Sequence, residues 1–163
     1  MQMGAKDQIL RKISSEVVKV VDGDGLIVRD ILTKVEEEIR LYGIDAPELT
    51  RCKKLKQDES ETQIAGSLLM KLAYESYDFM RSIIKPGDQV YILQEANNLK
   101  DRYGRTLAYI ELENGKILNE VMVEAGYAKA YNKIICSELP KYQQLSLNAK
   151  TNKKGLYLYV DQF

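Results

Sequence analysis

The hydrophobic pattern in the first third of the chain predicts strands. Residues 16–21 are a β-branched run, residues 26–32 are a second apolar run, and Asp22-Gly23-Asp24-Gly25 between them has the composition of a tight hairpin. In a third strand, Val35, Glu37, Ile39 and Leu41 alternate with Glu36, Glu38, Arg40 and Tyr42. Period-two alternation puts Arg40 on the face opposite Ile39 and Leu41, away from its apolar neighbours. These three runs predict an antiparallel meander. Residues 1–13 are polar and are expected to be a flexible segment ahead of a single domain over 14–163.

The period then changes. Beyond a polar, lysine-rich connection over 50–58, Ile64, Leu68, Leu69, Leu72, Met80, Ile83 and Ile84 recur at helical spacing. They predict one long amphipathic helix over 61–84, ended by Lys85-Pro86-Gly87. Residues 89–93 and 106–112 read as two more strands, with Asn97-Asn98 and Asp101-Arg102-Tyr103-Gly104 in the loop between them. Residues 117–125 read as a short helix capped by Gly126, and 140–151 as a third helix closed by Gly155. Five strands and about three helices predict an α+β fold, a small OB-type Greek-key β-barrel. Oligonucleotides often bind such barrels, but fold alone does not establish function.

Composition narrows the chemistry. At 163 residues, with 45% hydrophobic and 29% charged positions, the chain can bury a real core. No apolar run approaches the ~20 residues that span a bilayer, and no membrane association is expected. The start lacks a secretory pattern, so a cytoplasmic location is expected as written, or a secreted or periplasmic one if a leader precedes it. The sequence has no histidine, which removes imidazole bases and histidine-ligated metals. Cys52 and Cys136 form no CxxC or zinc pattern; a disulfide between them is allowed, but two idle thiols are expected. Catalysis would therefore fall to carboxylates, Arg, Lys, Tyr or hydroxyls. The formal net charge of zero argues mildly against tight nonspecific nucleic-acid binding, unless a bound dication offsets local acid.

Three stretches carry candidate chemistry. Arg40-Leu41-Tyr42-Gly43-Ile44-Asp45-Ala46-Pro47-Glu48 delivers an arginine on a strand and then two carboxylates on a loop broken by glycine and proline. Asp22-Gly23-Asp24-Gly25 precedes it and Asp101-Arg102-Tyr103-Gly104-Arg105 follows. Taken singly, each has a plain reading: a hairpin turn, a decorated loop, an ordinary Tyr-Gly turn. Arg40 could simply pair with Glu36 or Glu38 on its own strand face, a surface bridge of little energetic weight. All three on one chain in this order favour a real site for phosphoryl chemistry with a hard metal ion.

On these stretches the chain resembles the staphylococcal nuclease (thermonuclease) family, from about Glu16 to Leu156. Val20-Val21-Asp22-Gly23-Asp24, the Arg40 to Glu48 stretch, and Asp101-Arg102-Tyr103-Gly104-Arg105-Thr106-Leu107-Ala108-Tyr109 carry the likeness. Leu118-Asn119-Glu120 and Gly126-Tyr127-Ala128-Lys129 add to it. The resemblance implies a calcium-dependent phosphodiesterase that cleaves DNA and RNA to 3′-phosphate ends. It implies calcium held by the Asp24 and Asp45 carboxylates and the Ala46 carbonyl, with Asp22 behind them. It implies Glu48 as general base and Arg40 and Arg105 on the phosphate.

The chemistry is consistent with that assignment. Phosphodiester hydrolysis builds negative charge on phosphorus oxygens, and guanidinium forks suit those oxygens better than lysine. Calcium accepts six to eight hard oxygens in loose geometry, so two aspartates, a carbonyl, water and substrate can suffice. With no histidine, Glu48 is the carboxylate near the metal loop left to activate water. Carboxylates are weak bases, so alkaline pH is expected to favour turnover. Tyr103 and Tyr131 are candidates to stack on a splayed base of a single strand, with Arg102 adding a phosphate contact. Gly25 stands where the family often places threonine, which predicts weaker calcium binding or slower turnover. A monomer is expected. The alternative from a different class is an OB-type nucleic-acid binding module, catalytically weak or inactive; intact Arg40, Glu48 and Arg105 weigh against it.

Overall fold

The computed structural model describes residues 9–49 and 66–163. The connection over 50–58, the first residues expected for the long helix, and Cys52 lie outside the described residues. The elements are β1 (Ile9–Asp22), β2 (Gly25–Asp30), β3 (Glu36–Leu41), β4 (Ile44–Asp45), α1 (Gly66–Ile83), β5 (Gln89–Glu95), β6 (Thr106–Glu111), α2 (Leu118–Glu124), β7 (Lys129–Ala130) and α3 (Leu139–Thr151), with a 3-10 turn at Gly155–Leu158.

Strands β1, β2, β3, β6 and β5 form a closed barrel in that order, as an OB-type fold requires. The expected meander is β1–β2–β3, antiparallel throughout. β3 then pairs with β6 in parallel, and this contact brings the first and second halves of the chain together. β1 starts at Ile9, so residues 9–13 are paired strand rather than a flexible segment. The polarity of Arg11 and Lys12 hid this pairing, because backbone hydrogen bonds to β5 do not require apolar side chains. The N-terminal half of β1 pairs with β5 and its C-terminal half with β2, and register shifts near Val17–Lys19 and Val20–Asp22 bend it between them.

The barrel interior is packed with Leu26, Val28, Ile39, Leu41, Ile92, Leu107 and Ile110, all buried. α1 buries Leu69, Leu72, Ala73, Ser76 and Met80, the helical stripe expected of it. A second cluster of Leu69, Leu72, Ala149, Leu156, Tyr157 and Phe163 joins α1 to α3 and the chain's last turn. Asn119 is fully buried on α2; its Nδ2 donates to the carbonyls of Tyr42 at 3.0 Å and Ala108 at 3.2 Å, and its Oδ1 accepts from Ile110 N–H at 3.2 Å. That amide anchors the start of the Gly43–Glu48 loop. Gly126 ends α2 with φ 82°, as expected of a helix-ending glycine. Gly155 does not close α3, which ends at Thr151; it packs its backbone against Gly126 instead.

Candidate active site

The site forms where β2, β3 and the loop after β3 meet. Register sets Gly25 of β2 opposite Arg40 of β3, and Leu41 N–H donates to Asp24 O at 2.9 Å. The loop after β3 folds back over Arg40 and is held by the small β4–β7 ribbon, in which Asp45 pairs with Lys129 and Tyr131 N–H donates to Gly43 O at 2.8 Å. Sequence periodicity could not reveal that ribbon, because each strand is two residues long.

Arg40 is therefore buried, 8% exposed, instead of lying on a solvated face. Both faces of β3 are covered near its end: the barrel core takes Ile39 and Leu41, and the returning loop takes Arg40. Its Nη1 donates to Leu41 O at 2.9 Å and Ile44 O at 2.8 Å. Its Nη2 lies 3.2 Å from Asp45 Oδ1 and 3.3 Å from Asp24 Oδ2. Burial opposes the charge, but Asp24, Asp45 and Asp22 outweigh it and hold the guanidinium firmly protonated. Three N–H groups are thus hydrogen-bonded within the protein, to two carbonyls and Asp45, and Nη2 is in ion-pair contact with Asp24 as well. Glu36 and Glu38 are not its partners; Glu36 pairs with Arg29 at 3.1 Å.

Asp24 and Asp45 arrive from separate loops and converge on one nitrogen. Both are buried, 3% and 7% exposed. Asp24 Oδ2 also accepts the Ala46 N–H at 3.0 Å, so Ala46 belongs to the same cluster. Asp22 Oδ1 accepts the Asp24 N–H at 3.2 Å. Burial first, and the charge of Asp24 second, push the Asp22 carboxyl up to about 8. Gly23 has no positive φ; it is needed for space, since a Cβ there would lie 2.6 Å from Ser76 Cβ and 2.8 Å from Ala46 Cβ. The turn is thereby pressed against α1 and the site loop. A Cβ at Gly25 would lie 3.1 Å from Asp22 Oδ1, so the small residue also leaves Asp22 room.

The remaining expected residues divide into two groups. Tyr131 borders the cluster, with its ring centre 5.5 Å from the Arg40 guanidinium carbon. Glu48 is half-buried, three residues beyond Asp45 on the same loop. Arg102, Tyr103 and Arg105 gather separately, on the turn before β6. Asp101 staples that turn: Oδ1 accepts the N–H groups of Tyr103 and Arg105 at 2.9 Å each, and Oδ2 accepts Arg105 Nε at 2.7 Å. Arg105 is thus held by Nε, which directs the paired terminal nitrogens elsewhere. Tyr103 is 70% exposed between Arg102 and Arg105, whose guanidinium carbons lie 5.0 and 5.7 Å from its ring centre. The link to Arg40 is through backbone: Arg105 precedes Thr106, which faces Ile39.

Sequence reasoning missed a buried carboxylate that organises this side. Glu95 accepts the Tyr109 hydroxyl at 2.6 Å and Ser137 N–H at 2.9 Å, with the Ser137 hydroxyl donating as well. Tyr42 hydroxyl donates to the carbonyls of Asn97 at 3.0 Å and Asn98 at 2.5 Å. No sequence pattern marks these as partners, because each joins strands distant in the chain. Cys136 is a free buried thiol, raised by burial and therefore poorly reactive.

The donor set is one of hard oxygens: two aspartates, the Ala46 backbone and Asp22 behind them. Among the described residues no group of three His, Cys, Asp or Glu is disposed as a ligand cluster. A cation here would need backbone, water and substrate oxygens to complete its shell. That suits a hard ion of loose geometry and excludes a four-ligand zinc type. Burial is the larger cause that raises Asp22, and the charge of Asp24, the second, is the part a dication would relieve.

A family model described as "Staphylococcal nuclease homologue" matches residues 38–159. Among relatives, the chain is 32% identical over 149 residues to an "Uncharacterized endonuclease" of Escherichia coli O157:H7, covering 91% of this chain and 80% of the relative. It is 30% identical over 115 residues to "Thermonuclease" of Staphylococcus hyicus, covering 71% and 57%. It is 28% identical over 144 residues to "Endonuclease YhcR" of Bacillus subtilis (strain 168), covering 86% of this chain but 11% of that far longer protein. The barrel, the converging motifs and these matches agree: the chain belongs to the staphylococcal nuclease homologue family.

Proposed function

We propose that this chain is a nuclease that hydrolyses phosphodiester bonds of DNA and/or RNA, preferring single strands, with calcium as cofactor and 3′-phosphate ends as products. The observation that carries the reading is the meeting of Asp24 and Asp45, from separate loops, at one buried arginine nitrogen. A hairpin and a surface loop with no shared task have no reason to bury three charges together. Family membership and relatives named as endonucleases support the same reaction class.

The Asp24 and Asp45 carboxylates and the Ala46 carbonyl would hold the calcium, which when bound supplies Lewis-acid polarisation of the phosphate. Arg40 fixes the two carboxylates relative to each other and places a positive charge between them. Arg105, anchored through Nε by Asp101, offers its paired terminal nitrogens to a phosphate oxygen. Glu48 takes the proton of the attacking water. Tyr103 and Tyr131 receive bases, and Arg102 a neighbouring phosphate.

The test is incubation of a labelled single-stranded DNA with the protein and calcium, with and without a chelator, followed by analysis of end groups. Calcium-dependent cleavage leaving 3′-phosphates is expected. Retention of the strand without cleavage would establish the alternative, a binding module.

A further inference from the structure

Two grooves on the described surface differ in charge. One, of about 610 Å³ beside α1, is lined by Glu75 and Asp78 as well as Lys71. The other, of about 360 Å³ between β7 and α3, is lined by Lys129, Gln143, Ser146, Lys150 and Tyr157, with no acidic residue. The chain as a whole has zero net charge, yet between Glu138 and Asp161 it carries Lys141, Lys150, Lys153 and Lys154 and no acid at all. Lys141 is paired with Glu120 at 3.0 Å. Lys150 has no carboxylate partner among the described residues.

The groove and the candidate active site share β7. Lys129 is the register partner of Asp45, and Tyr131, two residues along, lies against Arg40. β7 is therefore part of both: its Lys129 and Ala130 line the groove and pair with Asp45 and Ile44. Lys129 Nζ donates to Phe163 O at 2.5 Å, which fixes that ammonium at the groove edge. Leu147, 57% exposed, supplies apolar surface beside the lysines, over the buried pair Tyr157 and Phe163, whose ring centres lie 4.9 Å apart. Ammonium groups beside aliphatic surface, with no carboxylate side chain among them, suit the backbone of a phosphodiester strand. The α1 groove, with its two carboxylates, would repel the same strand.

We propose that the β7–α3 groove is a second polynucleotide subsite, in which Lys150 and Lys129 hold a backbone phosphate of the substrate strand several nucleotides from the scissile bond. The proposal rests on the nuclease reading and adds a reason for longer strands to bind better than short ones. Each lysine on a phosphate releases counterions, contributing about 0.7 to the salt slope on single strands.

The test is fluorescence anisotropy with a labelled single-stranded DNA 20-mer and a tetranucleotide, across a salt series, in the cleavage-impaired Glu48→Gln background with calcium. Lys150→Gln is expected to weaken 20-mer binding ~3- to 10-fold and lower its salt slope by ~0.7, with little effect on the tetranucleotide. Gln143→Lys is expected to shift 20-mer binding the opposite way, and Lys141→Gln to change it less than twofold. A 20-mer affinity within twofold of the parent in Lys150→Gln overturns the groove, as does an equal loss on both lengths. Failure of the parent to bind the 20-mer at all overturns the nuclease reading along with it. Binding of an acidic protein with no competition from the 20-mer would assign the groove to a different occupant and overturn the proposal.

Discussion

Arg40 and Arg105 were expected to act alike, yet they occupy opposite environments. The Arg40 side chain is 9% exposed, its terminal nitrogens hydrogen-bonded to two carbonyls and Asp45 and ion-paired with Asp24. The Arg105 side chain is 24% exposed and tied down through Nε alone, on a turn beside an exposed tyrosine. One arginine is a structural member that also sets the electrostatics of the site; the other is positioned and left available. The difference teaches that two identical guanidinium groups, at comparable places in two motifs, can be set by their surroundings to different tasks: one is spent inside the site, the other keeps its terminal nitrogens for a ligand.

Breaking the buried member should have the largest effect. Arg40→Ala removes the guanidinium between two buried carboxylates and is expected to cost about 3–5 kcal/mol, together with at least ~1000-fold in kcat/KM. Arg40→Lys should fare nearly as badly, since a single ammonium nitrogen cannot reach the two carbonyls and two carboxylates that the guanidinium fork spans. Chemical denaturation and steady-state cleavage measure both losses, and a stable, active Arg40→Lys protein would remove the distinction. Arg105→Ala should lower kcat ~100- to 1000-fold while changing stability by less than ~0.5 kcal/mol, because Asp101 keeps its two backbone donors. A comparable stability loss in both alanine variants would erase the comparison.

Tyr103→Ala sharpens the exposed side further. It should raise KM about tenfold and leave the melting temperature in place, as loss of a stacking platform would. A fall in kcat at constant KM would move Tyr103 out of the binding role. The smallest effect is on the buried side. Asp22 is raised to about 8 in the ion-free fold, so its stabilising contribution is complete below ~4 and is lost as pH rises toward 8. With chelator present, Asp22→Asn should therefore raise the melting temperature by ~2–5 °C at pH 8 and by nothing near pH 4. A gain of equal size at both pH values would point to packing instead of charge.

Much of this architecture was legible in the residues. Alternation found the barrel strands and helical spacing found α1, because each signal repeats over several turns or pleats. The closing parallel pair of β3 and β6 was not readable, since register across distant segments leaves no local mark. Arg40 misled for a physical reason: alternation assumes one wet face, and the fold covers both with the loop that follows. Asp24, Asp45 and Ala46 were found through the motif and do converge. Glu95, Tyr109 and Ser137 were missed because a buried hydrogen-bond network has no spacing signature.

Calorimetric titration of calcium into the intact protein and into Asp45→Asn tests most directly whether two loops share one ion. The wild-type protein should bind a single calcium with a dissociation constant of ~10⁻⁴–10⁻³ M, and Asp45→Asn should bind at least ~10-fold more weakly while remaining folded. Equal binding by both proteins, or none by either, would contradict a shared site.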